Sequence, residues 1–333
     1  MREDIFALLL AVGILMITGP WLIPLLKRFK FGQTEREEGP KSHLIKQGTP
    51  TMGGIMIILA VIAGTIAFSN GNLELALPAI LIMTGYGLVG FLDDFIKIKL
   101  KRNLGLKAYQ KIIGQFGIAL IVALYCYNSP YIGSILYFPF INAELDLGIF
   151  YIPFAMILVI GMVNSVNLTD GLDGLASGIS LIYCAAMAIV FMYMSTILRD
   201  EGQIMSGANF SAMSVFAAST VGACLGFLRF NSYPARIFMG DTGSMALGGA
   251  ISAMALFSRS PFSVFLMGGC FVASAVSVIL QVGSYKLRNK KRIFKMAPLH
   301  HHFELCGYSE TKIVAGYMIV TTVLCLICLL AYI

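Results

Sequence analysis

Charged residues are scarce in this sequence: they make up 12% of its 333 residues, whereas 58% are hydrophobic. A soluble domain cannot carry that balance, because too little polar surface would remain to keep it dispersed in water. The mean hydropathy of +0.82 and the long unbroken apolar runs indicate membrane-spanning helices of about 20 residues each. The short alternating segments of a membrane β-barrel are missing, which argues against that class.

Paired cysteines are also lacking. The chain has seven Cys, an odd number, and most lie inside apolar runs, so a disulfide framework is not expected. Cys325 and Cys328 form a C-x-x-C within such a run, where packing is the favoured role over metal or redox chemistry. The N-terminal segment has neither a basic cluster nor a small-residue cleavage site, so it is expected to be the first span and not a cleaved signal.

The apolar runs predict an all-α polytopic membrane protein with about ten transmembrane helices, forming a single domain over residues 1–333. An even number of transmembrane helices puts both termini on the same side of the membrane. The predicted spans are 5–26, 52–69, 75–92, 109–127, 149–166, 175–196, 211–229, 244–258, 262–284 and 313–332. Between the fourth and fifth spans, the connection 128–147 is expected to form a small hairpin.

Lys and Arg are distributed very unevenly between the two sides. The connections 27–51, 93–111, 229–243 and 285–312 hold 6, 6, 2 and 7 of the 24. Because cytoplasmic loops carry the excess of positive charge, both termini are expected on the periplasmic or extracellular side. The basic loops would contact anionic lipid headgroups and would also attract a polyanionic substrate, and charge alone does not separate these roles.

Four polar segments that are distant in sequence all fall on the predicted cytoplasmic side. They are 91–94, 167–174, 238–244 and 298–304, and together they hold five Asp. Carboxylates are costly at the membrane rim, and the adjacent pair Asp93 and Asp94 repel each other, so a cation is expected among them. Magnesium suits oxygen ligands shared with substrate phosphates. The alternative, in which each Asp caps a helix or pairs with a basic residue, explains one Asp well but five poorly.

Two further features point to phosphate. Gly240 to Ser244 leads into a span, so a helix N-terminus is expected near Asp241, and such an end favours a bound phosphate. His300, His301 and His302 are adjacent and cannot easily converge on one tetrahedral zinc ion, so hydrogen bonds to phosphate are expected instead.

At these residues the chain closely resembles the phospho-N-acetylmuramoyl-pentapeptide transferases, a bacterial branch of the polyprenyl-phosphate N-acetylhexosamine-1-phosphate transferase superfamily. The shared motifs are 36–40, Ser42-His43, 48–54, 91–94, 102–106, 167–174, 238–244 and 296–304. The resemblance covers nearly the whole chain. The stretches 48–54 and 298–303 belong to the muramoyl branch itself, whereas the aspartate motifs are common to the superfamily.

The resemblance implies a reaction and a setting. UDP-N-acetylmuramoyl-pentapeptide and undecaprenyl phosphate would give lipid I and UMP, with Mg²⁺ as the cofactor. The expected protein has ten helices, forms a homodimer in the bacterial inner (cytoplasmic) membrane, opens its site to the cytoplasm and has no nucleic-acid partner. Direct attack by the lipid phosphate is favoured over a covalent aspartyl intermediate, which stays open.

The resemblance also implies roles for individual residues. The catalytic residues would be Asp93, Asp94, Asp241 and His301, with Asp241 and Asp94 as metal ligands. The substrate-binding residues would be Lys46, Lys111, Asn167, Asp170, Gly171, Leu172, Asp173, Asn231, Phe238, His300 and His302. Asp93 would orient or deprotonate the lipid phosphate. Phe238 would stack on uracil in a pocket shared with Asp173, Asn231 and Lys46.

One departure and three alternatives accompany this interpretation. Gly307-Tyr308 and Ala315-Gly316-Tyr317 stand where the family often has Gly-Trp and Arg-Phe-Trp, which puts local packing or subunit contacts in question. A sibling enzyme that transfers N-acetylglucosamine phosphate would keep the aspartates but is not expected to keep 298–303. A transporter would carry its ionisable residues near the midplane, and a non-catalytic scaffold leaves the aspartates unexplained.

Overall fold

The computed structural model describes residues 1–28, 48–100 and 105–332, which form helices and one two-stranded sheet. In chain order the elements are α1 (Arg2–Arg28), α2 (Gly54–Phe68), α3 (Ala76–Lys99), α4 (Ala108–Asn128), β1 (Ile135–Phe138), β2 (Ala143–Asp146), a 3₁₀ turn (Gly148–Phe150), α5 (Tyr151–Thr169), α6 (Leu175–Asp200), α7 (Ile204–Asn231), α8 (Gly240–Phe257), α9 (Ser263–Met267), α10 (Gly269–Leu287), α11 (Leu299–Leu305) and α12 (Glu310–Leu329).

Eight of the described helices are long and apolar enough to cross a membrane, which confirms a polytopic, mostly helical membrane protein. They are α1, α3, α4, α5, α6, α7, α10 and α12. The other two predicted spans are also helical, but α2 has 15 residues and α8 has 18. The predicted span 262–284 differs from the structure, because α9 and α10 are separate helices that meet at Gly268.

Helix α8 lies at the centre of the bundle. All of its residues from Thr242 to Phe257 are buried, and it packs against α2, α3 and α5. Because little of α8 faces lipid, it can consist largely of Gly, Ala and Ser, which let neighbouring backbones approach closely. Helix α7 is the second buried helix and packs against α1, α2 and α6.

Two glycines bring other backbones directly against the start of α8. A Cβ on Gly90 of α3 would overlap the backbone carbonyl of Asp241, and a Cβ on Gly54 of α2 would overlap the backbone of Gly243. No larger residue fits at either position without moving a helix, since the obstacles are backbone atoms. The first turn of α8 is therefore held between α2 and α3.

The connection between α4 and α5 forms the hairpin that the sequence predicts. Strands β1 and β2 pair antiparallel, with Ile135 opposite Asp146 and Phe138 opposite Ala143. The backbone N–H of Tyr137 donates to the carbonyl of Arg259 at 2.7 Å, which ties the hairpin to the segment after α8. The hairpin follows the end of α4, so it lies at the opposite end of the bundle from Asp93 and Asp241.

We expect Gly90→Ala to destabilise the protein, because the new methyl group would push α3 away from the first turn of α8. Overpacking of this kind costs about 1–3 kcal/mol. The measurement is the thermal unfolding temperature of the purified protein in detergent. Gly85→Ala in the same helix is the matched control, since its Cβ would lie at an ordinary 3.5 Å from Ile118. Equal unfolding temperatures for the two variants would contradict the predicted close contact.

Candidate active site

Three carboxylates from two helices meet at one end of the bundle. Asp93 and Asp94 lie near the C-terminal end of α3, and Asp241 lies in the first turn of α8. Each offers an oxygen atom within 4.8 Å of the other two. Asp93 and Asp94 are buried, at 3% and 4% exposure. Buried like charges at this spacing are unfavourable unless cations lie among them.

Two lysines supply part of that positive charge. The Nζ of Lys97 lies 2.6 Å from Asp93 and 2.9 Å from Asp241, and the Nζ of Lys111 lies 3.0 Å from Asp241. Lys111 was predicted to belong to the site, whereas Lys97 was not. The sequence does contain one indication of this role for Lys97. It lies four residues after Asp93 on the same helix, a spacing at which two side chains can meet.

Asp94 also caps the N-terminus of α8. Its carboxylate accepts hydrogen bonds from the backbone N–H of Asp241 at 3.2 Å, from the backbone N–H of Thr242 at 2.9 Å and from the Thr242 hydroxyl at 2.7 Å. Helix N-termini attract anions through such unpaired N–H groups. The anion bound to these groups is therefore the Asp94 carboxylate, and not the phosphate that the sequence suggested.

Helix α5 and the segment before α4 provide further hydrogen bonds to the acidic cluster. The Asn167 side-chain amide donates to Oδ1 of Asp241 and to the hydroxyl of Ser244, both at 2.8 Å. The backbone N–H of Leu106 donates to Oδ1 of Asp93 at 2.9 Å. The predicted site residue Asn167 thus contacts the acidic cluster directly, and it orients Asp241.

Asp170 adds a further carboxyl group beside the cluster. Burial, and then the charges of Asp241, Asp94 and Asp173, raise the pKa of Asp170 to about 8. Burial disfavours the ionised form of Asp170, and the neighbouring carboxylates add to this effect, so the site holds more carboxyl groups than the two lysines can neutralise. The oxygen-rich cluster therefore suits a divalent cation such as magnesium.

The loop 170–174 is anchored by two residues that were predicted to bind the nucleotide. Oδ1 of Asn231 accepts from the Gly174 N–H and from the Ser177 hydroxyl, both at 3.1 Å, while its amide donates to the Ile237 carbonyl at 2.9 Å. Oδ2 of Asp173 accepts from the backbone N–H of Ala235 at 2.8 Å. Leu172 in this loop is buried. Asn231 and Asp173 therefore join the 170–174 loop to the segment that precedes α8.

The short helix α11 brings two of the three histidines to this loop. A Cβ on Gly171 would overlap Nε2 of His300 and would lie 3.1 Å from Nε2 of His301. Nδ1 of His301 pairs with Glu304 at 2.7 Å, which orients its ring. His302 lies apart from them, since its Nδ1 accepts from the backbone N–H of Lys295 at 3.1 Å. Three adjacent helical residues point in different directions, and the sequence alone did not show which two would face the loop.

Phe238 is held by its backbone beside the first turn of α8. Its N–H donates to the Pro50 carbonyl at 2.8 Å, and its carbonyl accepts from the Gly53 N–H at 2.9 Å. The side chain is partly exposed. The pairing brings 48–53 and 237–239 together, two of the motifs that the sequence singled out. Lys46, also predicted for this pocket, lies outside the residues that the structure describes.

The chain is similar to known proteins along almost its entire length. Residues 77–259 match the family described as Glycosyl transferase family 4, and residues 46–58 match the Phospho-N-acetylmuramoyl-pentapeptide-transferase signature 1. The phospho-N-acetylmuramoyl-pentapeptide-transferase of Clostridioides difficile (strain 630) is 50% identical over 99% of this chain and 98% of its own. Its namesake in Clostridium kluyveri is 48% identical over 98% of both chains, and that of Thermoanaerobacter sp. (strain X514) is 47% identical over 97% and 96%.

We expect Asp94→Asn to lower the thermal stability of the protein in detergent. An amide has one acceptor oxygen in place of two and carries no charge, so the α8 N-terminus would lose part of its cap, a contact generally worth about 0.5–2 kcal/mol. Asp200→Asn, at the exposed end of α6, is the control. Equal unfolding temperatures for the two variants would show that Asp94 does not hold α8.

The raised pKa of Asp170 predicts a pH-dependent affinity for Mg²⁺. Below its pKa of about 8 the carboxyl group holds a proton, which a nearby cation must displace, so affinity should rise with pH and level off above that value. Titrating MgCl₂ into the protein calorimetrically, in buffers of different protonation enthalpy, measures the protons released. Asp170→Asn should flatten the pH dependence, and an unchanged slope would exclude Asp170 as its source.

Proposed function

The chain belongs to the phospho-N-acetylmuramoyl-pentapeptide-transferase family, and from that premise we propose how its residues carry out the reaction. The enzyme transfers phospho-N-acetylmuramoyl-pentapeptide from UDP-N-acetylmuramoyl-pentapeptide to undecaprenyl phosphate, which gives lipid I and UMP in the first membrane step of peptidoglycan synthesis. The observation that carries this function is 50% identity to a named transferase over 99% of the chain. The convergence of Asp93, Asp94 and Asp241 supports it chemically.

In our proposal the acidic pocket faces the cytoplasm from the bacterial inner membrane. Helices α2 and α8 would complete ten crossings with the eight longer spans, and both termini would lie outside. The support is that 21 of the 24 Lys and Arg belong to connections on the side of the pocket. There a water-soluble UDP donor can meet a lipid acceptor. The whole chain would work as one transferase unit, and two copies would form the homodimer that the family resemblance implies.

Asp241 and Asp94 are the proposed magnesium ligands, and the geometry adds Asp93 as a third candidate. All three offer carboxylate oxygens, the donor type that magnesium prefers, within 4.8 Å of one another. Asp94 is bound to backbone N–H groups of α8, whereas Asp93 and Asp241 each pair with a lysine side chain that can turn away when a cation binds. Bound there, Mg²⁺ would neutralise negative charge on the diphosphate during transfer.

The transfer itself depends mainly on position and charge. An oxygen of undecaprenyl phosphate forms a bond to the sugar-bearing phosphorus, and the bond from that phosphorus to the UMP oxygen breaks. Asp93 would orient or deprotonate the attacking phosphate. Lys97 and Lys111, which pair with Asp241 here, would turn to the phosphate oxygens and hold them in line. A covalent aspartyl intermediate is the competing path.

The donor would bind across the loops that join at the start of α8. Phe238 would stack on uracil, with Asp173, Asn231 and Lys46 around it. His300 and His301, beside Gly171, would donate hydrogen bonds to phosphate oxygens. Asn167, Asp170, Gly171 and Leu172 would shape the floor of this subsite. His302 is the weakest of the proposed contacts, because its Nδ1 is bound to the backbone of Lys295.

The function is tested with purified protein, undecaprenyl phosphate, Mg²⁺ and one of two donors. UDP-N-acetylmuramoyl-pentapeptide should yield lipid I and one UMP per lipid, while UDP-N-acetylglucosamine should yield neither. Thin-layer chromatography of the lipid and chromatography of UMP measure the two products. Lipid product from the N-acetylglucosamine donor alone would overturn the proposal in favour of the sibling enzyme.

We expect Asp241→Asn to reduce turnover by at least about 100-fold, a loss typical of removing one charged group that stabilises a transition state. The cap that Asp94 forms on α8 uses the backbone of Asp241 and not its side chain, so the variant should still fold, although it loses charge from its pairs with Lys97 and Lys111. Initial rates of UMP release at saturating Mg²⁺ measure the effect, and Asp200→Asn serves as control. Turnover within about twofold of the parent would remove Asp241 from the metal site.

A further inference from the structure

A second cavity lies between α10, α11 and α12, separate from the acidic pocket. Its volume is about 450 Å³, within the usual range of about 300–1,000 Å³ for ligand sites. Its lining is almost wholly apolar and includes Phe303, Val320 and Leu324. Gly316 leaves its middle open, because a Cβ there would meet no atom within 4 Å.

The cavity has the depth of one membrane leaflet. Lys312 lies at one end of its α12 wall and Leu324 at the other, twelve residues further along the helix. At 1.5 Å per residue that separation is about 18 Å, whereas half of the hydrocarbon core of a bilayer is about 15 Å. Such a length fits one acyl chain of a phospholipid. The much longer undecaprenyl chain would fill it and leave most of its own length outside.

The end of the cavity that reaches the membrane face carries a positive charge. Lys312 is exposed there, beside Tyr308. The segment 288–298, which runs from the end of α10 to the start of α11, holds five Lys and Arg and no acidic residue. Basic clusters of this kind at the membrane face attract anionic headgroups. An apolar groove with a cationic mouth is complementary to an anionic phospholipid.

The helix α11 separates this cavity from the candidate active site. Leu299 and Phe303, one turn apart, line the cavity, while His300 and His301 face Gly171. We propose that the cavity binds one acyl chain of an anionic phospholipid from the cytoplasmic leaflet, with its phosphate at Lys312, and that the bound lipid holds α11 so that its histidines stay beside Gly171. The proposed lipid binding does not depend on the proposed transferase reaction, whereas the effect of the lipid on turnover rests on that reaction.

Lipid binding is tested with a variant whose added side chain fills the cavity. Gly316→Leu adds a side chain where the acyl chain would lie, and Gly117→Leu is the matched control, because Gly117 is an exposed helical glycine whose Cβ would also meet no atom within 4 Å. Native mass spectrometry after reconstitution in phosphatidylcholine vesicles containing phosphatidylglycerol counts the retained lipids. The parent and Gly117→Leu should each retain one phosphatidylglycerol per chain. Losing burial of two or more methylene groups should weaken retention in Gly316→Leu by about tenfold.

A second pair of variants tests the headgroup. Lys312→Gln should remove the preference for phosphatidylglycerol over phosphatidylcholine, whereas Lys27→Gln, an equally exposed lysine at the end of α1, should keep it. Turnover of the parent should rise as phosphatidylglycerol is added, and turnover of Gly316→Leu should not. If Gly316→Leu does not fold, Ala273→Leu fills the same cavity from α10.

Two results would overturn the inference. One is unchanged retention of phosphatidylglycerol by a folded cavity-filling variant. The other is a cavity-filling variant that no longer binds undecaprenyl phosphate but still retains phospholipid, which would assign the cavity to the substrate chain. Lipid retention is counted without any reaction. A protein that retained phosphatidylglycerol but made no lipid I would therefore contradict the proposed function and still support the lipid site.

Discussion

The carboxylate of Asp94 accepts hydrogen bonds from the first turn of α8, and this contact between α3 and α8 determines where Asp241 lies. Glycine at position 90 allows the two backbones to come close enough for it. A buried anion at a helix N-terminus offsets its own desolvation by pairing with N–H groups that lack partners. One residue thus caps the central helix and brings a second carboxylate into the cluster. The geometry of the acidic cluster therefore depends on a packing contact between two helices.

The acidic cluster then creates an imbalance of charge that suits the reaction. Lys97 and Lys111 reach Asp241, yet burial and, after it, the neighbouring carboxylates keep the pKa of Asp170 raised. A divalent cation would remove that excess, and a bound diphosphate would in turn release the lysines from the carboxylates. The lysine–carboxylate pairs of the cluster and its proposed affinity for a charged substrate would therefore have the same electrostatic origin.

Helix α11 connects two parts of the protein that otherwise have separate chemistry. One of its faces carries His300 and His301 to the Gly171 loop, and the other closes an apolar cavity with α10 and α12. A helix of seven residues has few internal hydrogen bonds, so its position depends on what packs against it. The lipid proposal follows from this dependence.

The sequence alone determined the class of protein and the chemical identity of its polar segments. Hydropathy requires membrane helices, because a backbone in lipid must satisfy its own hydrogen bonds, and the motifs in 48–54 and 298–303 indicated the family before any geometry was known. The hairpin in 128–147 followed from composition, and the structure confirms it. These features depend on local residue types, which a sequence shows directly.

Only the tertiary structure decided which side chains meet. It showed Lys97 between two carboxylates, Asp94 as the cap of α8, the break at Gly268, and His302 turned away from its two neighbours. Each of these depends on how close distant helices come and how they are rotated about their axes. That relation is set by packing among residues far apart in the chain, so no local pattern contains it.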